Sequence, residues 1–390
     1  MERLSTENKA FVLETLLLFG ICFCIMQQKP NVVSILFHVT FFLLVFIFVL
    51  QLWMTPKLKG LHILVLVTIL LSFIHVSIQA EKISFSYYNK LIMFSCTLMM
   101  LPITDGLQVQ KKLVDWVLGV NVAIALLYVV MYWGFKVRTH IDVYLAMNFS
   151  NPNAAGLFMC HSLLYCALAF YRYRHWFVRA MLVALFLALF WLMRETGTRS
   201  AYLALISFAG LTAFSVLLKK EVRISPQISF ILVLTPFIFA IVYLALSKGD
   251  FLDKWFSSFS ARGKSLDSRV GVWEYALGYY RLFPVIGAYN DISGGTGMSQ
   301  LHNTHIDVLA SYGTVPFALF VLCMHVGVLR ILDMARSDFG RMCMYAFYAT
   351  LLLGSFEAAL VAGGTGLYIL SFGFLVLAKY NERDYVEGIV

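Results

Sequence analysis

Two histidines and two arginines carry the chemistry that can be read from this chain. His302 and His305 stand three apart in His302-Asn303-Thr304-His305, directly before an apolar run, and on a helix that spacing puts both on one face with Leu309. An imidazole titrates near neutrality and takes a proton from a hydroxyl as a general base, an effect worth about 10²–10⁴-fold. Two histidines with a third ligand would make a metal site, but none follows at a recognisable spacing, so no metal is expected. Asp307 can orient an imidazole or cap the helix, and Asn303 lies within the same cluster.

Arg269 belongs to a candidate helix from Ser265 to Phe283, in which Leu266, Val270, Trp273, Leu277 and Tyr280 recur at four and three, the stripe of one buried face. Ser265 can cap its start and Pro284 stops it. Such a helix lies on the membrane surface or on the bundle, with Trp273 and the tyrosines at headgroup level. Arg269 then sits in the first turn, where unpaired N–H groups and the helix dipole already favour an anion, and a guanidinium there makes a phosphate clamp. The plainer alternative is contact with lipid headgroups or pairing with an acid. Arg199 closes Arg194-Glu195-Thr196-Gly197-Thr198-Arg199 between two apolar runs; Arg194 and Glu195 can pair, which leaves Arg199 for a ligand anion or for snorkelling at a helix end. Glu357 lies within an apolar run, and an acid there is a functional candidate with Arg199 as a plausible partner. Asn151, Pro152 and Asn153 read as a turn and a helix cap.

The elements that must position these groups are membrane spans. The chain has 390 residues, 61% of them hydrophobic and 13% charged, against roughly 25% charged in soluble domains, so it is expected to be an all-α integral membrane protein. At about 20 apolar residues per span there are about twelve candidates, near 10–26, 32–53, 60–79, 88–103, 113–134, 153–171, 177–193, 200–218, 228–246, 312–332, 342–361 and 365–379. This divides the chain into nine spans over 1–246, a polar loop over 247–311 with amphipathic helix, and three spans and a tail over 312–390. The excess of nine basic residues collects in alternate connectors, as at Lys57 and Lys59, Lys111 and Lys112, Arg172 to Arg179, and Arg330 to Arg341. By the positive-inside rule these are cytoplasmic, both termini are inside, and the loop, the Phe135 to Asn153 connector, the Arg194 to Arg199 connector and the turn around Gly363 to Gly366 face outward. The basic excess is thus topological and calls for no nucleic acid.

All seven cysteines fall in apolar runs, so no disulfide framework is expected. The phosphate-loop, dinucleotide and H-E-x-x-H zinc motifs are absent, and no cofactor is expected.

The combination of Thr196-Gly197-Thr198-Arg199-Ser200-Ala201, Ser268-Arg269-Val270-Gly271-Val272-Trp273, Phe283-Pro284-Val285-Ile286-Gly287 and His302-Asn303-Thr304 with Gly313 after it resembles the bacterial O-antigen ligase and O-antigen polymerase family, over roughly residues 140–330. The resemblance implies an inverting, metal-independent glycosyltransferase of the inner (plasma) membrane with its site facing the periplasm or cell exterior. Its donor would be a glycan on undecaprenyl diphosphate, its acceptor a second glycan, with membrane lipids around it and a chain-length regulator as a further partner. Carried over by position, Arg199 and Arg269 bind the diphosphate and His302 is the acceptor base, with His305 behind it. Thr314-Val315-Pro316 stands where the family often has another glycine after Gly313, which speaks against the ligase branch; Asn151-Pro152-Asn153 and the loop favour polymerase. A ligase passing the chain to lipid A-core is the alternative, and a flippase for the same lipid-linked sugar is the reading from another class.

Overall fold

The computed structural model describes residues 30–54, 60–79, 85–107, 109–141, 143–147, 149, 151–217, 224–246, 267–288, 301–357 and 367–380. In chain order the described helices are α1 (Pro30–Met54), α2 (Gly60–Gln79), α3 (Phe85–Gly106), α4 (Lys111–Trp133), α5 (Pro152–Arg172), α6 (Trp176–Thr196), α7 (Arg199–Leu217), α8 (Pro226–Leu246), α9 (Asp267–Leu282), α10 (Thr304–Tyr312), α11 (Thr314–Met334), α12 (Asp338–Leu353) and α13 (Leu367–Ala378). Between α4 and α5 the connector forms a short antiparallel hairpin, β1 (His140–Ile141) with β2 (Tyr144–Leu145), pairing His140 with Leu145.

The chain is an all-α membrane protein. Six helices, α2, α4, α5, α6, α8 and α11, are long and apolar enough to cross a bilayer, so the described residues carry six such spans where the hydropathy pattern predicts about twelve. Part of the difference is physical. The run 342–361 stops being helical at Leu353 and turns through Gly354 and Ser355 to Glu357, with the carbonyls of Gly354 and Ser355 turned to Thr304 N and Asn303 Nδ2. The predicted first span at 10–26 and the turn around Gly363 to Gly366 lie outside the described residues, as do residues 247–266 and 289–300 of the long loop.

Burial ranks the helices. In the best span window of α5, 83% of residues are buried, against 28% in α6 and α8, so α5 is the central post. Its Tyr165 hydroxyl donates to Leu370 O and His161 Nε2 meets Ser371 Oγ at 2.9 Å, both on α13. Ser229 of α8 and Tyr348 of α12 share a 2.8 Å hydrogen bond. These are the interhelical polar contacts that hold helices together where lipid gives no hydrophobic drive. Leu70, Ile78, Leu187, Ile206, Phe42 and Phe46 project outward, more than half exposed, as lipid-facing residues do.

At one end of the bundle the chain reverses in short turns, each explained by its sequence. Asn151 caps α5, its side chain accepting from Asn153 N at 2.8 Å with Pro152 at the first helical position. Gly197 ends α6 in the left-handed region (φ 64°), returning its N–H to Arg194 O. Asn303 caps α10 by accepting from His305 N and Ile306 N, both at 3.0 Å. The first and third of these turns and the start of α9 meet the last residues of the α12 turn.

Candidate functional site

The site is built around Glu357. Its carboxylate accepts from Arg269 Nη2 (3.0 Å) and Asn153 Nδ2 (2.9 Å) on Oε1 and from His302 Nδ1 (2.8 Å) on Oε2. The acid is buried, its side chain 7% exposed, while Arg269 and His302 are 22% and 21% exposed. The carboxylate therefore forms the floor, and the guanidinium and imidazole form the open rim. Each donor comes from a different helix start: Asn153 from α5, Arg269 from the first turn of α9, His302 from the residue before the cap of α10. Helix N-termini present unpaired N–H groups and the positive end of the helix dipole, so their convergence makes a place for anions.

Arg199 follows a turn that packs against the start of α5. It opens α7, and its neighbour Thr198 donates to Pro152 O (3.2 Å), while Thr196 donates to Thr198 Oγ1 (3.0 Å). Gly156 makes this possible: a Cβ there would lie 2.1 Å from Thr198 Oγ1 and 2.6 Å from Thr196 Oγ1. The α6–α7 turn thus sits on the first turn of α5, one residue from the Asn153 that holds Glu357. The partner of Glu357 is Arg269, not the predicted Arg199, because the turn after α12 points its acid at the start of α9. Arg269 also lies over the Phe356 ring at 5.8 Å.

His302 has a positive φ of 51°, uncommon outside glycine. The surroundings over-determine it. Thr304 N donates to Gly354 O (2.8 Å), Asn303 Nδ2 donates to Pro236 O (2.8 Å) and Ser355 O (3.2 Å), and Trp273 Nε1 donates to Leu301 O (2.7 Å). Strain held in this way is a feature of functional sites. With Nδ1–H given to the carboxylate, the hydrogen-bond network assigns the Nε2 lone pair to the open side, the arrangement that suits a general base.

The other predicted residues fall differently. His305 does not share a face with His302, since α10 begins only at Thr304 and His302 precedes its cap. It is 1% exposed, packed against the Phe317 and Phe320 rings, and burial pushes its imidazole down to about 3. A buried, neutral imidazole cannot meet a substrate, so His305 is a packing residue. Asp307 touches no imidazole; it pairs with Lys90 of α3 and accepts from Ser311 Oγ (3.2 Å). Arg194 is exposed at the end of α6 and joins none of these bonds. Trp273 is fully buried in the protein, because the buried face of α9 runs through Val272, Trp273 and Ala276, leaving Leu277 only half-buried and Leu282 exposed.

Asn153 and Trp273 have roles that composition alone does not give. Asn153 was legible only as part of a turn, and Trp273 only as an apolar position. Among the described residues no group of three His, Cys, Asp or Glu side chains converges as metal ligands. No protein-family model and no curated protein matches the chain. The family resemblance therefore rests on the short motifs, of which those around Arg269 and His302 meet at Glu357.

Proposed function

We propose that the chain is an outward-facing, twelve-span inverting glycosyltransferase that polymerises undecaprenyl-diphosphate-linked oligosaccharide repeats. The observation that supports it best is the Arg269–Glu357–His302 constellation, seated where several helix N-termini meet and open on its imidazole side. In this reading His302 Nε2 takes the proton from an acceptor hydroxyl as its oxygen attacks the anomeric carbon. The bond from that carbon to the diphosphate oxygen breaks on the opposite face. Arg269 and Arg199, with the helix dipoles, stabilise the negative charge that grows on the departing diphosphate. Glu357 keeps the imidazole in the right tautomer and the guanidinium in register.

The test is reconstitution of purified protein with a lipid-linked repeat. A product ladder is expected, insensitive to chelator. His302→Ala should lower turnover about 10²–10⁴-fold while donor binding stays within a few-fold. Transfer only to lipid A-core would assign the ligase activity, and movement of the lipid across liposomes without product would assign a flippase. Arg269→Lys is expected to reduce kcat/KM about 10–100-fold, because an ammonium cannot keep Glu357 and grip a phosphate through a planar fork at once. Wild-type kcat/KM in Arg269→Lys would remove that arginine from diphosphate binding.

A further inference from the structure

Beside the site, on α10, lies a second buried charged cluster. Lys90 of α3 pairs with Asp307, Lys90 Nζ donates to Ser311 Oγ (3.1 Å), and the Ser311 hydroxyl donates to Asp307 Oδ1 (3.2 Å). Asp307 is 0% and Lys90 9% exposed. Burying two charges is costly, and apolar residues of like volume in their place often leave a protein as stable or more so. Stability is thus a poor reason for the pair. Its position offers a better one. Asp307 Oδ2 faces the N–H of Leu301 at 3.5 Å, and the carbonyl of the same residue accepts from Trp273. Leu301 directly precedes the strained His302. The turn over 301–304 is therefore held on one side by α9 and the α12 turn, which belong to the site, and on the other by α3 through this ion pair. His75 Nδ1 at Tyr312 O (2.7 Å) and Gln79 Nε2 at Ser311 O (3.3 Å) fix only the other end of α10.

We propose that the buried Lys90–Asp307 pair positions His302, holding the 301–304 turn against α3 so that the imidazole stays on Glu357 with its second nitrogen toward the substrate. Lys90 and Asp307 touch no substrate and are positioning residues. This rests on the glycosyl-transfer reading for its kinetic part, and the experiment separates the two.

The informative variant is Lys90→Met with Asp307→Asn, which removes both charges with little change of shape and leaves no unpaired ion. Two quantities are read: the rate at which diethyl pyrocarbonate modifies His302, followed by mass spectrometry, and the split of kcat from donor KM. Positioning predicts about threefold or faster modification of His302, because the turn opens locally, in a protein that still elutes as a folded species. It also predicts kcat down about tenfold or more with KM little changed, since small misplacement of a catalytic group is costly. Lys90→Arg, which keeps the charge, should retain most of the rate. If the double variant is modified and turns over as wild type, or loses only thermal stability, the proposal is overturned. Should the double variant not fold, Ser311→Ala, which removes the hydroxyl shared by both charges, must shift His302 reactivity in the same direction, and no shift overturns it. If the wild type transfers no sugar, the glycosyl-transfer reading fails while the modification rates still decide whether the pair positions His302.

Discussion

Glu357→Gln should reduce turnover about 10²–10⁴-fold, as much as loss of His302 itself, with little change in the amount of folded protein. The reason is a conflict of donors. In the native site three N–H groups, from Arg269, His302 and Asn153, converge on two carboxylate oxygens. An amide offers one oxygen and one NH₂. If the oxygen faces Arg269 and Asn153, the NH₂ faces His302 Nδ1, which must then become an acceptor. Its proton moves to Nε2, and the lone pair that would take the acceptor proton is lost. If the amide turns over, the NH₂ meets two other donors at a nearly buried position, and an unsatisfied buried donor costs about 1–3 kcal/mol. The first outcome disables the base; the second keeps its tautomer but breaks the hold on Arg269 and Asn153. The measurement is initial rate at saturating lipid-linked donor, with donor affinity measured separately. A Glu357→Gln protein with wild-type turnover would show that His302 does not depend on its carboxylate, and the base assignment would fall with it.

How far the site could be read from the chain follows from which signals are local. The turn at Asn151 and Pro152 and Arg269 in the first turn of α9 are fixed by residues within a few positions, and each stands where its spacing puts it, whereas the cap of α10 is Asn303 and not Asp307. The pairings are not local. Glu357 stood out as an acid in an apolar run, but its partners are 55, 88 and 204 residues away in sequence. Nothing in periodicity selects Arg269 over Arg199 for it. The two histidines show the limit of a spacing rule. Three residues apart means one helix face only inside a helix, and His302 lies outside, at a positive φ that its own sequence does not announce. Trp273 shows another: an indole on an amphipathic helix suits a headgroup interface, yet here its N–H has a buried carbonyl to satisfy, at Leu301. The end of one apolar run is set by a related pairing. Hydropathy reads the run through Glu357 as one continuous membrane crossing, whereas the helix must stop at Leu353 so that Gly354 and Ser355 can offer their carbonyls to Thr304 and Asn303.

Gly313→Ala should be the most damaging single change to the fold. Gly313 joins α10 to α11 with φ 87° and ψ 179°, a region that is essentially glycine's alone, where another residue costs about 1–3 kcal/mol before any contact is considered. The contacts are worse. A Cβ at this position would lie 2.0 Å from Val285 O and 2.9 Å from Gly287 N, both backbone atoms that no rotamer change can move. Those atoms belong to the segment leaving α9, which is tied to the α10–α11 junction by Thr314 N and Oγ1 to Pro284 O (2.9 and 2.7 Å), by Ala288 N to Ala310 O (2.8 Å) and by Tyr280 Oη with Thr314 Oγ1 (2.7 Å). A methyl group therefore pushes the end of α9 away from α10, and Arg269 and Trp273 move with the helix. The expected result is loss of the monodisperse detergent-solubilised species or a fall in apparent Tm of about 5–10 °C, and at least about 10²-fold lower turnover in whatever folds. Gly271 provides the contrast. It lies mid-helix on the exposed side of α9 with nothing within 4 Å of an added Cβ, so Gly271→Ala should leave Tm unchanged or raise it slightly, by about 0.5–1 kcal/mol of helix propensity. Equal tolerance of the two alanines would mean that the α9 exit does not rest on Gly313, and that the distance between Arg269 and His302 is set elsewhere.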